Sequence, residues 1–154
     1  MEPRAAKYPL SQPEIEDLLN RAGEGVLGTL GPDGPYTVPL NFVYWNGKIY
    51  FHSRRTGQKL RHLASDDRVC FTVWEVQGSF RGPAACTCST FYQSVIIQGR
   101  AVLADPDLAE QALLALARKY APDLVNPQIP PDRLAMTAVV EITPLAVTGK
   151  YCRK

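Results

Sequence analysis

The residues best suited to chemistry cluster between Asn46 and Leu60, in the stretch NGKIYFHSRRTGQKL. Ser53, Arg54, Arg55, Lys59 and Arg61 surround Gly57, which can turn the chain into a short helix. A hydroxyl, several cations and the free N–H groups of a helix start suit a phosphate, because guanidinium forks and unpaired amides both favour an anion. A solvated cationic surface loop explains the same residues without any ligand. The chain has 2 histidines. His52 sits on an extended run beside the basic loop, where it could serve a site or act as a hydrogen-bonded structural residue. His62, between Arg61 and Leu63, reads as a surface residue of the short helix.

No Ser-His-Asp spacing, carboxylate pair or metal cluster emerges elsewhere, so we expect no metal site. The 4 cysteines (Cys70, Cys86, Cys88 and Cys152) favour neither disulfides nor zinc. A chain without a secretion signal seldom carries disulfides, and a lone Cys-x-Cys lacks the second ligand pair of structural zinc. Cys70, within an apolar strand, reads as a small core residue. An enzyme built from these residues must borrow its reactive group from a cofactor, with the protein supplying binding and orientation.

The elements that would position the cluster follow from periodicity. Asn46-Gly47 between two apolar runs is a hairpin turn, both central residues needing φ > 0. Lys48 to Ser53 is then a strand, with Ile49 and Phe51 on one face and Tyr50 and His52 on the other. Upstream, Ser11 and Glu14 form a capping box that opens a helix running to about Ala22. Val26 to Leu30 is a first strand, in which Gly28 permits close approach of a backbone or ligand. Tyr36 to Trp45 reads as one central strand, with Pro39 forcing a bulge or an edge and leaving backbone groups free. Gly57 to Ala64 turns Leu60, Leu63 and Ala64 inward on a short helix. Arg68 to Glu75 is a strand, Val76 to Ser89 a long loop, and Phe91 to Leu103 a strand with a bulge at Gly99. Asp105 caps a helix to Tyr120. Pro122 to Asp132 is a connector, and Met136 to Thr148 is the last strand, with Pro144 at an edge or bulge. These six strands, with helices at their ends, predict a mainly β fold: a six-stranded antiparallel barrel decorated by peripheral helices.

Three segments in this order, PYTVPLNFVYWNGKIYFHSRRTGQKLRHL, STFYQSVIIQGRAVL and VVEITPLAVTGK, resemble the pyridoxamine-phosphate-oxidase-like FMN-binding split barrels. The resemblance runs from about Tyr8 to Lys150 and is nearest to the nitroimidazole-resistance (Nim) reductase branch. It implies FMN as cofactor, with phosphate contacts at Ser53, Lys59 and Arg54 or Arg55. Ring contacts fall on Pro39, Leu40 and Asn41, and a later strand borders the cofactor at Ser94 and Val95. His52 is placed near the flavin or its substrate. Where pyridoxamine phosphate oxidases carry an Arg-Gln-Val run, this chain has Tyr92-Gln-Ser-Val95, which turns the reading from vitamin B6 oxidation toward an oxidoreductase of small electron-poor compounds. The electron donor would be a reduced nicotinamide or another reductant. The alternative is a non-catalytic module of the same fold holding FMN, haem or deazaflavin, with His52 as the candidate axial ligand to haem. The family typically pairs two barrels. We expect a homodimer: Trp45, Phe80, Phe91 and Tyr92 fit its interface, although they could instead complete the barrel's own core.

Composition narrows the remaining classes. The 154 residues make a single domain, 1–154. A net charge of +2 is too small to call for nucleic acid or a membrane surface. The N-terminal MEPRAAKYPLSQ has no apolar leader, and no run is long enough to span a bilayer, which suggests a cytoplasmic protein.

Overall fold

The structure, a computed structural model, describes residues 7–153. Helix α1 (Gln12–Arg21) is followed by strands β1 (Glu24–Gly31), β2 (Gly34–Asn41), β3 (Val43–Trp45) and β4 (Lys48–Arg54). Helix α2 (Gln58–Ser65), the long strands β5 (Arg68–Phe80) and β6 (Ser89–Leu103), helix α3 (Pro106–Tyr120), helix α4 (Pro131–Met136) and strand β7 (Thr137–Cys152) complete the order. All strand pairings are antiparallel, in the order β2-β1-β5-β6-β7-β4-β3.

The strand expected over Tyr36 to Trp45 is two strands, so the sheet has seven rather than six. β2 pairs β1 at one edge, β3 pairs β4 at the other, and only Phe42 separates them. One run of chain thus leaves the first edge and joins the last, which gives the split barrel. At the switch, Phe42 loses its ladder partners, and helix α3 replaces them. The Tyr120 hydroxyl accepts from the Phe42 N–H at 3.0 Å and reaches its carbonyl at 2.9 Å, while Lys119 Nζ donates to that carbonyl at 3.0 Å. The ammonium also lies 4.0 Å above the Phe42 ring, a cation–π contact.

The interior is filled by alternating residues: Leu27, Phe51, Phe71, Val73, Val95 and Val140 belong to one cluster and are fully buried. Helix α1 adds Ile15, Leu18 and Leu19 at the end near Glu75 and Gln93. Its capping box forms as expected, the Glu14 carboxylate accepting from Ser11 N–H at 2.8 Å. Helix α2 covers the opposite end, beside the β1–β2 turn. A second cluster lies outside the barrel, where Ala109, Ala112 and Leu116 of α3 cover Val43, Tyr50 and Val139.

The turn residues behave as expected. Asn46 and Gly47 have φ of 51° and 75°, the two positive values of the tight hairpin. Pro39 lies on an edge strand, where it need not donate to a neighbour on both sides. Gly99 sits at a register shift opposite Pro144, and a Cβ there would stand 2.5 Å from the Thr143 carbonyl oxygen. Four expectations need correction. The span Val76 to Ser89 is not one long loop, because β5 and β6 continue to Phe80 and from Ser89. Part of the Pro122 to Asp132 connector enters α4, and β7 runs on to Cys152 rather than ending at Thr148. Cys70 is exposed, because Val69, Phe71 and Val73 take the inner face and leave it outside between Arg68 and Thr72.

Candidate functional site

Strand β4 divides its residues as alternation requires. Ile49 and Phe51 point into the barrel, Tyr50 packs under α3, and His52 is exposed on the same outer face. No hydrogen bond engages the His52 ring among the described residues. Ser53 turns back inward and is only 8% exposed. Its hydroxyl is buried without a hydrogen-bond partner. Such an orphan costs about 1–3 kcal/mol, so it marks a group that a ligand could satisfy.

Directly after Ser53 the chain turns through Gly57, whose φ of 133° favours glycine, and enters α2 with no side-chain cap. The first amides of α2 are therefore open to an anion. Lys59 stands half-buried in that first turn. Arg54 is exposed, and Arg55 turns away to donate from Nε to the Ala135 carbonyl of α4 at 2.5 Å. Ser53 near the end of β4 and Lys59 in the first turn of α2 thus stand on either side of the Gly57 turn in the chain, whereas Arg55 is held at a cavity of about 420 Å³ between α3, α4 and β7.

Strand β2 places Pro39 and Asn41 outward and Leu40 toward the core. Its second side is a free edge of backbone groups. Val95 points inward and is fully buried; Ser94, 9% exposed, lies on the outer face of β6 between Trp74 and Lys150, its hydroxyl also without a partner. Two strands, β1 and β5, lie between β2 and β6, so Ser94 is about 14 Å along the sheet from the β2 residues at ordinary strand spacing. One chain does not bring these two groups into contact.

Sequence reasoning misplaced His62 and Ala64. His62 is not on the surface but only 1% exposed, and Ala64, expected to face inward, is exposed. His62 Nε2 lies 2.6 Å from Asp33 Oδ1, and Nδ1 lies 3.1 Å from Thr29 Oγ1. The same Asp33 carboxylate accepts from Gln58 Nε2 at 3.1 Å, and the His62 hydrogen bond holds its pKa below the usual value. Gly31 leaves room for the ring: a Cβ there would come within 2.3 Å of the imidazole.

Two further polar groups are tuned by their surroundings. On the outer face, Glu141 accepts from Lys48 at 2.7 Å and from Tyr50 at 2.8 Å; burial pushes its pKa up, but these bonds hold it below the ordinary value. Burial pushes the Lys119 ammonium down to about 8.

A cavity of about 560 Å³ opens on the outer face of β1, β2, β5, β6 and β7, lined by Gly28, Tyr36, Cys70, Gln98 and Leu145 among others. Among the described residues no group of histidine, cysteine or acidic side chains could hold a metal ion. No helix among them is long and apolar enough to cross a membrane.

Residues 11–151 match the family described as pyridoxamine 5'-phosphate oxidase. No curated protein matches the chain. Among solved structures it is similar to a candidate 5-nitroimidazole antibiotic resistance protein from Bacteroides thetaiotaomicron, at 26% identity and TM-score 0.78, over 92% of this chain and 84% of that one. It shares its fold with the FAD and heme binding protein from Mycobacterium smegmatis, at 19% identity and TM-score 0.85, over 94% and 72%. The flavocytochrome Anf3 from Azotobacter vinelandii aligns at 20% identity and TM-score 0.83, over 94% and 68%.

Proposed function

The chain belongs to the pyridoxamine 5'-phosphate oxidase family, and from that premise we propose that it is an FMN-dependent oxidoreductase. Its substrates would be small electron-poor compounds, including nitro-aromatics, and it would work in the cytoplasm as a homodimer. The observation that carries this reading is the buried, unpartnered Ser53 hydroxyl near the end of β4, from which the chain turns into the uncapped start of α2. A phosphate there would satisfy the hydroxyl, accept from the first amides and be balanced by Lys59.

Bound FMN would supply hydride and electron transfer, with a reduced nicotinamide as the electron source. The residues of the chain would bind and orient. The free edge of β2 at Pro39, Leu40 and Asn41 offers backbone donors and acceptors to a flat heterocycle. His52, exposed and without a hydrogen-bond partner among the described residues, is available as a proton donor to an outer-face substrate. Ser94, about 14 Å along the sheet from β2, would contribute from the partner subunit. The uncovered side of the sheet supports pairing: Trp74, Val76 and Phe80 are 53%, 60% and 47% exposed.

A cofactor-binding module without turnover is the second reading, favoured by the same free imidazole of His52, which could be an axial haem ligand. An absorption spectrum of the freshly purified protein, repeated after adding FMN and desalting, separates the two. A retained flavin spectrum with turnover of nitro compounds supports the reductase. A Soret band would favour the second reading, and a colourless protein that refuses FMN would refute both flavin readings.

A further inference from the structure

Asp33 reaches helix α2 at two points one turn apart. Its Oδ2 accepts from Gln58 in the first turn, at 3.1 Å, and its Oδ1 faces His62 Nε2 at 2.6 Å. A carboxylate only accepts, so Nε2 carries a proton and the ring orientation is fixed. On its other side the ring meets the Thr29 hydroxyl at 3.1 Å, and the Tyr36 ring stands edge-on to it at 6.0 Å. Gly31 supplies the space, since a Cβ there would lie 2.3 Å from the imidazole. Thr29, Gly31, Asp33 and Tyr36 all belong to the β1–β2 hairpin. His62, buried against that hairpin, and its half-exposed partner Asp33 therefore join α2 to the strand pair that carries Pro39 and Asn41.

We propose that the Asp33–His62 clasp is a positioning device that sets the spacing between the β2 edge and the start of α2, and so makes the site selective for a phosphorylated flavin. The proposal rests on the FMN reading above and deepens it. The β2 edge would meet the ring and the α2 start would meet the phosphate, and the clasp ties α2 to the turn end of the hairpin whose far end carries Pro39 and Asn41. Neither Asp33 nor His62 need touch the ligand. Loosening the clasp should leave ring binding intact and misplace the amides, Ser53 and Lys59 relative to the ring. The phosphate contribution would be lost selectively.

The test compares dissociation constants for FMN and riboflavin, by flavin fluorescence titration, in the wild-type chain, Asp33→Ala and Lys59→Ala. Asp33 has a side chain 55% exposed, so its removal should leave the protein folded, which a thermal melt checks. The expected result for Asp33→Ala is FMN binding weaker by roughly tenfold or more, the scale of one charge-assisted hydrogen bond, with riboflavin binding unchanged. An unchanged FMN-to-riboflavin ratio, whether both affinities hold or both fall together, would overturn the clasp. If Lys59→Ala loses FMN selectively while Asp33→Ala does not, the phosphate site stands and the clasp falls. If wild-type protein binds the two flavins equally and Lys59→Ala changes nothing, the phosphate reading itself fails, and the clasp with it.

Discussion

Ser53 carries a hydroxyl that the folded chain leaves unpaired, and this gives its replacement two opposite signs. In the flavin-free protein, Ser53→Ala removes a buried group with no partner, so stability should hold or rise by up to about 1 kcal/mol. In a titration with FMN the same variant should bind more weakly, because a contact to the phosphate is gone. A structural serine would behave the other way, with stability lost and flavin affinity kept. His52 allows a cleaner separation of roles, since its ring is exposed and no hydrogen bond ties it down among the described residues. His52→Ala should fold normally, retain flavin and reduce nitro compounds at least about 100-fold more slowly if the imidazole delivers a proton. Unchanged turnover would remove it from the chemistry.

At the scale of elements, the contact of α3 with the Phe42 switch makes a prediction about pH. Lys119 titrates at about 8 in the fold against an ordinary 10.5, because burial disfavours its charge. Between those values the unfolded chain holds a proton that the native chain has released, so this group's contribution to stability rises with pH across the window. Below about pH 8 both states are charged and the full cost remains. Tyr44, Tyr50 and Tyr120, all pushed upward by burial, act in the opposite direction above their ordinary value of 10. Lys119→Met isolates the lysine. Chemical denaturation should show the variant's stability relative to wild type falling from pH 7 to pH 10 by about 1 kcal/mol or more. A difference flat in pH would place the ammonium in water.

The same elements show which features were readable beforehand. Asn46-Gly47, the Ser11 capping box and the Gly99 bulge are local devices, so their residue types alone indicated them. The Phe42 switch was not readable, because an apolar run looks the same whether it keeps one partner strand or exchanges it for another. His62 was hidden for a related reason. Its flanking Arg61 and Leu63 say nothing of the hairpin across which Asp33 and Thr29 reach it. The outward place of Cys70 could have been read, since it alternates with Arg68 and Thr72 rather than with Val69 and Phe71. Of the candidate site, the hydroxyl and cations around Gly57 were legible as a group. That Arg55 leaves the group for Ala135 depends on α4, which a proline-rich connector did not advertise.

For the whole molecule, the open outer face of the sheet is the feature to test. Trp74 lies in the row of Ser94 and Lys150, and no helix of the described chain covers it. Aromatic anchors of this kind dominate association energies. If the chain pairs through this face as proposed, Trp74→Glu should shift sedimentation from dimer toward monomer, with a dissociation constant raised about 30-fold or more. Melting of the monomer should change little, because the side chain is 53% exposed. A variant that still sediments with the wild type would move the interface elsewhere.

The place of β7 has a consequence for biosynthesis. It is the last strand in sequence, yet it sits between β6 and β4 in the sheet. Until it is made, the nascent chain can assemble β2-β1-β5-β6 as one piece and the β3–β4 hairpin as another, with nothing to join their edges. Both pieces then present unpaired strand edges and uncovered apolar residues while translation continues. The barrel cannot close vectorially from its N-terminus; it must wait for Thr137–Cys152 to emerge and be inserted as a keystone.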